Sequence, residues 1–293
     1  MSIVESFGET VSYLDWAYEH AGRGNYGGYV AISSIDQASR WSSSFHPVHE
    51  LNEAAAAAVE QSRKGKNAYY RLHLLAGPLS SARRGGARET HVVTHIAADV
   101  DVSGPGHKPP PGAVLPSREQ ALSLIDHTLP PSAIVSSGGG YYPVLRLAES
   151  IEITSDAVAD RIRDLGRRYD NALRGHGFHV DRTANNLAGL IRPPGLVNRK
   201  PGREPRPISI ERSWNAGAGD YSLVDLEALL PPLQRRQCTR TKNNVPIGAA
   251  RWSRFSARYT VDDVLAHDPN HEWEAVGLVD GMCAWRYIGS SSP

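Results

Sequence analysis

Two aspartates, Asp99 and Asp101, stand two residues apart in the apolar stretch 94–102, THIAADVDV. Read as a strand, this stretch places both carboxylates on one face and four apolar side chains on the other: Ile96, Ala98, Val100 and Val102. Carboxylates held side by side repel each other, and a divalent cation between them removes that repulsion because hard cations take oxygen ligands. Taken alone, the pair is more typical of a strand that ends in a solvated turn, but two later stretches favour the metal-binding interpretation.

A run of three glycines lies in the stretch 135–142, VSSGGGYY, one strand–helix–strand passage after the aspartates. Glycines between strands let backbone N–H groups approach a phosphate closely, and the hydroxyl of Ser136 or Ser137 adds a donor. A hairpin turn that needs positive φ values explains the same residues. The stretch therefore predicts either a phosphate-binding turn or a plain hairpin turn.

A third stretch combines a carboxylate with cationic and amide side chains. Asp181 ends the predicted strand 178–181, and the run 187–200, LAGLIRPPGLVNRK, contains Arg192, Asn198 and Lys200. Charged and amide donors of this kind suit triphosphate oxygens. Taken singly, Asp181 is more typical of a turn, and Arg-Pro-Pro-Gly is more typical of a bend.

Together the three stretches give the order carboxylate pair, glycine turn, carboxylate, then Arg…Asn…Lys. This order resembles the archaeo-eukaryotic primase superfamily, specifically the primase-polymerase (prim-pol) domains of phage and plasmid replication proteins. Asp99 and Asp101 match the family's Asp-x-Asp motif, and residues 137–140 match its serine and glycine turn. The family's Asp upstream of Arg-x-Pro-Gly-x-x-Asn-x-Lys is matched by Asp181, Arg192, Pro194, Gly195, Asn198 and Lys200. The resemblance covers about residues 68–212.

The chain departs from the family at one position, because Tyr142 stands where the nucleotide-binding histidine is usual. A tyrosine hydroxyl can donate a hydrogen bond to phosphate but carries no positive charge near neutral pH. Phosphate binding would then depend on the glycine amides, Arg146, Arg192 and Lys200. His107 is a possible substitute for the missing histidine, although a histidine in such a loop is more typically just exposed.

The resemblance implies template-directed nucleotidyl transfer, as in a DNA primase or DNA polymerase of phage or plasmid replication. In this hypothesis Asp99, Asp101 and Asp181 are catalytic and hold two Mg²⁺ or Mn²⁺ ions. The implied nucleotide-binding residues are Ser137, Gly138, Gly139, Gly140, Tyr142, Arg146, Arg192, Asn198, Lys200 and His107. The expected partners are a single-stranded or primed DNA template and a dNTP or NTP. Because the chain has no Gly-x-x-x-x-Gly-Lys-Ser/Thr motif, a helicase partner would lie outside it.

Two other functions are compatible with the same residues. The domain could be a catalytically silent nucleic-acid-binding part of a replication initiator, which keeps the fold and has lost the chemistry along with the histidine. It could also be a metal-dependent phosphoesterase or nuclease that releases nucleotides. The presence of three mutually repelling carboxylates argues against the silent domain.

The composition of the 293 residues, 40% hydrophobic and 22% charged, is that of a soluble globular protein. The two cysteines, Cys238 and Cys283, are far apart, which argues against a disulfide framework and against a cysteine zinc site. No signal-like N-terminal segment is present, and no apolar run approaches the ~18 residues of a membrane span. We therefore predict a cytoplasmic protein without a membrane partner. Basic excess over 161–206 and 228–261 suits a polyanion, and these stretches would contact template phosphates.

The predicted helices and strands mix without a regular βαβα order, and tight turns join several strand pairs. This pattern predicts an α+β fold with a mixed, largely antiparallel sheet. The resemblance implies a prim-pol fold with an RNA-recognition-like half and a second αβ unit. We assign 1–232 to the catalytic domain, 233–258 to a basic linker and 259–293 to a small C-terminal module with a hairpin over 273–287.

Two local signals concern the elements around the acidic strand. The basic loop 83–88, RRGGAR, directly precedes this strand and predicts either a flexible turn or a phosphate clamp. After the strand, Ser117 and Gln120 have the spacing of a capping box at the start of a helix.

Overall fold

Five α-helices and fourteen β-strands are formed by the residues that the structure describes. The structure is a computed structural model, and it describes residues 4–24, 26–104, 114–175, 180–181, 184–233, 273–279 and 282–287. The helices are α1 Phe7–Arg23, α2 Leu51–Arg63, α3 Arg118–Thr128, α4 Asp156–Arg174 and α5 Leu223–Leu229. The strands are β1 Tyr29–Ile35, β2 Trp41–Pro47, β3 Asn67–Arg71, β4 Leu74–Leu75, β5 Thr90–Ala97, β6 Val100–Asp101, β7 Ala133–Ser136, β8 Gly140–Glu152, β9 Leu190–Ile191, β10 Val197–Asn198, β11 Arg206–Pro207, β12 Ser209–Arg212, β13 Trp273–Val279 and β14 Met282–Tyr287.

Ten of the strands form one sheet in the order β12-β7-β8-β5-β4-β1-β3-β9, with β2 added beside β1 and β6 beside β8. Every pairing between these strands is antiparallel. β10 and β11 form a separate antiparallel pair. The expectation of an α+β fold with a largely antiparallel sheet is thus confirmed, whereas the division into an RNA-recognition-like half and a second αβ unit stays a prediction.

The sheet is covered on both faces, and the alternation of side chains along β8 shows this. Tyr142 and Val144 point to one face, where they join a buried apolar cluster with residues of α1 and α2. Tyr141, Leu145 and Leu147 point to the other face, where they join a second cluster with residues of α3 and α4. Side chains of a strand alternate between faces with a period of two, so a covered sheet has two separate cores.

The acidic stretch that was predicted as one strand is divided into β5 and β6, and both pair with β8. The register is the same on both sides of the break, with Ala97 opposite Val144 and Val100 opposite Tyr141. Pro143 lies opposite the gap and has no N–H, so the ladder loses a donor there. The predicted apolar face is confirmed, since Ile96, Ala98, Val100 and Val102 all belong to the cluster beneath α3 and α4.

Side-chain caps set the starts of the two helices on that face. Ser117 accepts a hydrogen bond from the backbone N–H of Gln120, and the Gln120 side chain accepts one from the N–H of Ser117. This reciprocal pair is the predicted capping box. Ser155 caps α4 by accepting from the N–H of Val158. The sequence therefore determines where both helices begin.

The chain divides into two compact units, residues 1–233 and 234–293. In the second unit the described strands β13 and β14 form an antiparallel hairpin over the residues predicted for it. Residues 234–272 lie outside the described residues, and the assignment of 1–232, 233–258 and 259–293 to catalytic domain, linker and module stays a prediction. Among the described residues, no helix is both long enough and apolar enough to cross a membrane.

Candidate active site

The acidic pair and the distant Asp181 meet through the backbone. The N–H of Asp181 donates to the carbonyl oxygen of Asp99 at 3.0 Å, and the two residues form an isolated antiparallel bridge. Burial, followed by the carboxylates of Asp101 and Asp181, raises the pKa of Asp99 to about 8. The positive charges of Arg192 and Lys200 act against this rise. All five side chains therefore lie close enough to influence one ionisation equilibrium.

The donor chemistry of the three aspartates suits a hard divalent cation, because carboxylate oxygens are the ligands that Mg²⁺ and Mn²⁺ prefer. The raised pKa of Asp99 points the same way, since a nearby cation would offset the repulsion that disfavours its ionised form. Within the part of the chain that the structure describes, however, no three His, Cys, Asp or Glu side chains already converge as a metal-binding group. The residues fit such an ion by type and by position on the same side of the sheet.

The glycine turn is a tight connection between β7 and β8, closed by a hydrogen bond from Ser137 N–H to the carbonyl oxygen of Gly140 at 2.9 Å. Gly138 has φ +77, a conformation that favours glycine. Gly140 packs so closely on β6 that an added Cβ would lie 2.2 Å from the carbonyl oxygen of Val100. The hairpin interpretation therefore explains these two glycines, and the same turn also borders an open cleft.

This cleft is a small hollow of about 10 Å³, room for roughly one water molecule, and its lining begins at Val102, next to Asp101 in the chain. Its lining consists of Val102, Ser103, Gly104, Gly138, Gly139, Asn198, Arg203, Glu204 and Arg206. Three of the lining residues, Gly138, Gly139 and Asn198, were predicted to bind the nucleotide, and the others were not.

The residues missed by the sequence analysis are Arg203 and Arg206. Arg206 donates to the carbonyl oxygen of Gly138 at 3.2 Å, which places its guanidinium against the glycine turn. Burial lowers the pKa of Arg203; the nearby Asp101 acts against this effect, and the cations of Arg192 and Arg206 add to it. The basic excess over 161–206 was the available signal, but it does not single out these two positions.

Asn198 holds the glycine turn and Lys200 together. Its side-chain amide donates to the carbonyl oxygen of Ser137 at 2.8 Å, and its carbonyl oxygen accepts from the N–H of Lys200 at 3.1 Å. The Asn198 side chain is buried, whereas Lys200 is exposed. The hydroxyl of Ser137 accepts from the N–H of Gly139 at 3.4 Å. Asn198 and Ser137 are therefore positioning residues in this arrangement, and Lys200 presents the accessible charge.

Tyr142 is buried directly beside the acidic strand. The common register of β5 and β6 on β8 places it opposite Asp99, and its hydroxyl accepts a hydrogen bond from Arg192 Nη1 at 3.1 Å. Arg192 also donates from Nη2 to the hydroxyl of Tyr69 at 2.8 Å. Burial, and then the charge of Asp99, raise the pKa of Tyr142. Tyr142 thus holds the guanidinium of Arg192 near the carboxylates and is not itself an exposed phosphate donor.

Two predicted nucleotide-binding residues are not part of this arrangement. The guanidinium of Arg146 donates to Asp220 at 2.7 Å and to Glu19 at 3.0 Å, and it lies over the ring of Trp16. Its side chain is only 12% exposed, so we correct its assignment from phosphate binding to an ion-pair network beneath α1. The other residue, His107, lies outside the described residues.

Comparison with known proteins gives two solved structures. Similarity to the catalytic domain of the primase RepB′ in complex with initiator DNA has a TM-score of 0.46 at 12% identity, over 76% of this chain and 92% of that chain. Similarity to the primase RepB′ has a TM-score of 0.46 at 13% identity, over 75% of this chain and 60% of that chain. No protein-family model and no curated protein sequence matches this chain.

Proposed function

We propose that this protein catalyses template-directed nucleotidyl transfer, as a DNA primase or DNA polymerase does in the replication of a phage or plasmid. The observation that carries the proposal is the contact of Asp181 with Asp99, which brings a third carboxylate to the acidic pair. The cleft lined by the glycine turn, Arg203 and Arg206 begins at Val102, the residue after Asp101. Carboxylates next to cationic side chains are the arrangement that phosphoryl transfer from a nucleoside triphosphate needs.

In the proposed reaction a strand's 3′-hydroxyl oxygen bonds to the α-phosphorus of the nucleotide, and the bond to pyrophosphate breaks. Asp99, Asp101 and Asp181 would hold divalent Mg²⁺ or Mn²⁺, which when bound activates the hydroxyl and neutralises charge on the phosphates. The remaining work is positioning and charge stabilisation, which dominate this class of reaction. Lys200 and Arg203 supply positive charge to the triphosphate, and the amides of the glycine turn approach its oxygens.

Arg192 and its supports have a separate role in this mechanism. The hydroxyls of Tyr142 and Tyr69 each accept one hydrogen bond from its guanidinium, so its orientation toward Asp99 is fixed before substrate arrives. A donor fixed in this way stabilises developing charge without having to reorganise during the reaction. The substrates proposed are a dNTP or NTP and a single-stranded or primed DNA, with any helicase outside this chain.

One observation favours a second candidate, the catalytically silent nucleic-acid-binding domain. The hydroxyl of Tyr142 is buried and bonded to Arg192, so this residue does not replace the cationic histidine expected there. Against the silent domain stand the burial of Asp99 and the charges of Asp101 and Asp181, which raise the pKa of Asp99 and therefore destabilise its ionised form. A domain that only binds nucleic acid gains nothing from this repulsion.

A single assay separates the proposed function from its alternatives. The full chain is incubated with nucleotides, Mn²⁺ or Mg²⁺, and a labelled DNA template, with and without an annealed primer. We expect the primer to be extended according to the template. An unchanged primer would favour the silent domain, and shortened strands would favour a metal-dependent nuclease. Products in the primer-free reaction would show that the protein also starts new strands from nucleotides alone.

A further inference from the structure

The basic loop 83–88 is held in place by one buried arginine. Arg71 is 0% exposed, and its guanidinium donates to the carbonyl oxygens of Gly85 at 2.7 Å and of Gly86 at 2.8 Å. The same guanidinium donates to the hydroxyl of Thr90 at 2.7 Å and to the carbonyl oxygen of Leu187 at 2.9 Å. The loop is thus tied to the sheet through several charge-assisted hydrogen bonds, which are stronger than neutral ones. It is not simply a flexible turn.

The fixed loop places Arg84 over an aromatic side chain of the sheet. The guanidinium carbon of Arg84 lies 4.1 Å from the centre of the Trp41 ring, and Arg84 is exposed. Arg83, its neighbour in the loop, is instead paired with Glu89. The guanidinium of Arg84 therefore lies against the indole of Trp41, and its position at the surface leaves it accessible to a ligand.

The contact continues from Trp41 toward the acidic site. The rings of Trp41 and Tyr69 have centroids 5.6 Å apart, and the guanidinium carbon of Arg192 lies 4.7 Å from the centre of the Tyr69 ring. Arg192 in turn donates to Tyr142. We call the set Arg84, Trp41, Tyr69 and Arg192 the stacking row. It leads in consecutive contacts from the exposed loop to the guanidinium held beside Asp99.

The chemistry of the stacking row matches one class of ligand. Single-stranded nucleic acid offers flat bases, which stack on aromatic rings and on guanidinium planes, and phosphates, which pair with arginine. The row contains both kinds of group, with a guanidinium at each end and two aromatic rings between them. Bases of a duplex are already stacked on each other and cannot use such a row, whereas unpaired bases can.

We propose that the stacking row binds single-stranded nucleic acid and directs it toward Asp99, with Arg84 and Trp41 making the outermost contact with a base. The identity of this strand as a template rests on the proposed function. Its recognition through bases and phosphates does not, since the row would bind a strand equally in a protein without catalysis.

The test measures the affinity of the full chain for a fluorescent single-stranded DNA by anisotropy, in EDTA and without nucleotides. Trp41→Leu keeps apolar volume and removes the aromatic face, whereas Trp41→Phe keeps an aromatic face. We expect Trp41→Leu to weaken binding by roughly 5- to 150-fold, the range for loss of one stacked base, and Trp41→Phe to weaken it less. Thermal melting of each variant verifies that it is folded, and Trp41→Phe keeps the proposal testable if Trp41→Leu fails to fold.

Changes at Arg84 separate charge from stacking. Arg84→Ala should weaken binding and reduce the slope of log K against log salt by about 0.7, the value for one phosphate contact on a single strand. Arg84→Lys should keep that slope but still bind more weakly, because an ammonium does not stack as a guanidinium plane does. Arg167→Ala is the matched control, an exposed arginine of α4 that is not part of the row, and should bind as the unmodified chain does.

Three results would overturn the proposal. The first is unchanged strand affinity in both Trp41→Leu and Arg84→Ala. The second is an equal loss of affinity for single-stranded DNA and for a duplex of the same sequence. The third is unchanged strand affinity together with a weaker affinity for nucleotide alone, which would assign the row to the nucleotide base. None of these measurements depends on nucleotide incorporation, so failure of the proposed function would leave their outcome interpretable.

Discussion

Asp181 and Asp99 are joined by a hydrogen bond of 3.0 Å from the N–H of the first to the carbonyl oxygen of the second. This contact uses only backbone atoms, so it fixes the position of both residues without using their carboxylates. Burial raises the pKa of Asp99 most, and the charges of Asp101 and then Asp181 raise it further. Because clustered carboxylates repel one another, stability alone does not explain this arrangement.

The raised pKa of Asp99 predicts a stability that depends on pH. Its pKa is 3.8 in the free side chain and about 8 in the folded protein. The folded state therefore binds this proton more tightly, so the contribution to stability is complete below 3.8 and is lost as the pH rises to about 8. Asp99→Asn should raise the Tm of the metal-free protein more at about pH 8.5 than at about pH 5.

The size of this effect is limited because Asp99 is only partly buried, and solvent reduces the repulsion. We expect a gain of about 1–2 kcal/mol at the higher pH, or about 2–8 °C in Tm. Glu149→Gln, at an exposed position of β8, is the matched control and should show no such difference. An Asn variant that is less stable than the unmodified protein at the higher pH would contradict the repulsion among the three aspartates.

Lys200 and Arg203 are the two cations predicted to act on the nucleotide and not on the strand. Lys200→Ala and Arg203→Ala should each raise the KM for nucleotide about 10-fold, the effect of losing one charge-assisted hydrogen bond. Strand affinity should change much less, by about 2-fold or less. Steady-state kinetics and anisotropy give the two quantities, with Lys64→Ala at the exposed end of α2 as control. A loss confined to strand affinity would remove these residues from the nucleotide site.

The close approach of β8 to β6 predicts that Gly140 tolerates no side chain. Its added Cβ would lie 2.2 Å from the carbonyl oxygen of Val100, so Gly140→Ala must separate the two strands that carry the acidic site. We expect a loss of about 1–3 kcal/mol in the free energy of unfolding and a lower rate of incorporation. Gly77→Ala, where an added Cβ meets nothing within 4 Å, is the control for denaturant unfolding. Equal stability of the two variants would show that β6 lies farther from the turn.

The ion pairs of Arg146 predict that this residue contributes to stability and not to nucleotide binding. Arg146→Ala leaves Glu19 and Asp220 without this partner, so stability should fall by about 1–3 kcal/mol, less than for a fully buried pair. The KM for nucleotide should not change at a temperature where the variant is folded. A raised KM with an unchanged Tm would restore Arg146 to the nucleotide site.

Much of the fold around the site was predictable because its signals are local. The capping box of Ser117 and the alternation of residues 96–102 depend on side chains within one helical turn or one strand. β2 was missed because its run WSSSFHP is polar, and its burial comes from neighbouring strands and from the loop that contacts Ser43. The stacking row was therefore not visible in the sequence, since Trp41 begins this strand.

The errors in the candidate site have the same physical origin. Arg146 was close to the glycine turn in sequence, but its partner Asp220 comes from a segment that only the folded chain brings near. Arg203 lies in a bend and Arg206 begins the two-residue strand β11, so no periodicity predicts the direction of either side chain. The pairing of β10 with β11 turns Arg206 toward Gly138. Motif spacing indicates which residue types are present, whereas long-range pairing decides which of them meet.

The most direct test of the account compares template-directed incorporation by the unmodified chain and by the Asp99→Asn/Asp101→Asn double variant. Both are assayed with a primed template, nucleotides and Mn²⁺, and Glu149→Gln is the control. We expect the double variant to remain folded and to lose at least about 100-fold in rate, because the carboxylates that would hold the ions are gone. Incorporation at the unmodified rate by a folded double variant would contradict the central claim that these aspartates perform the chemistry.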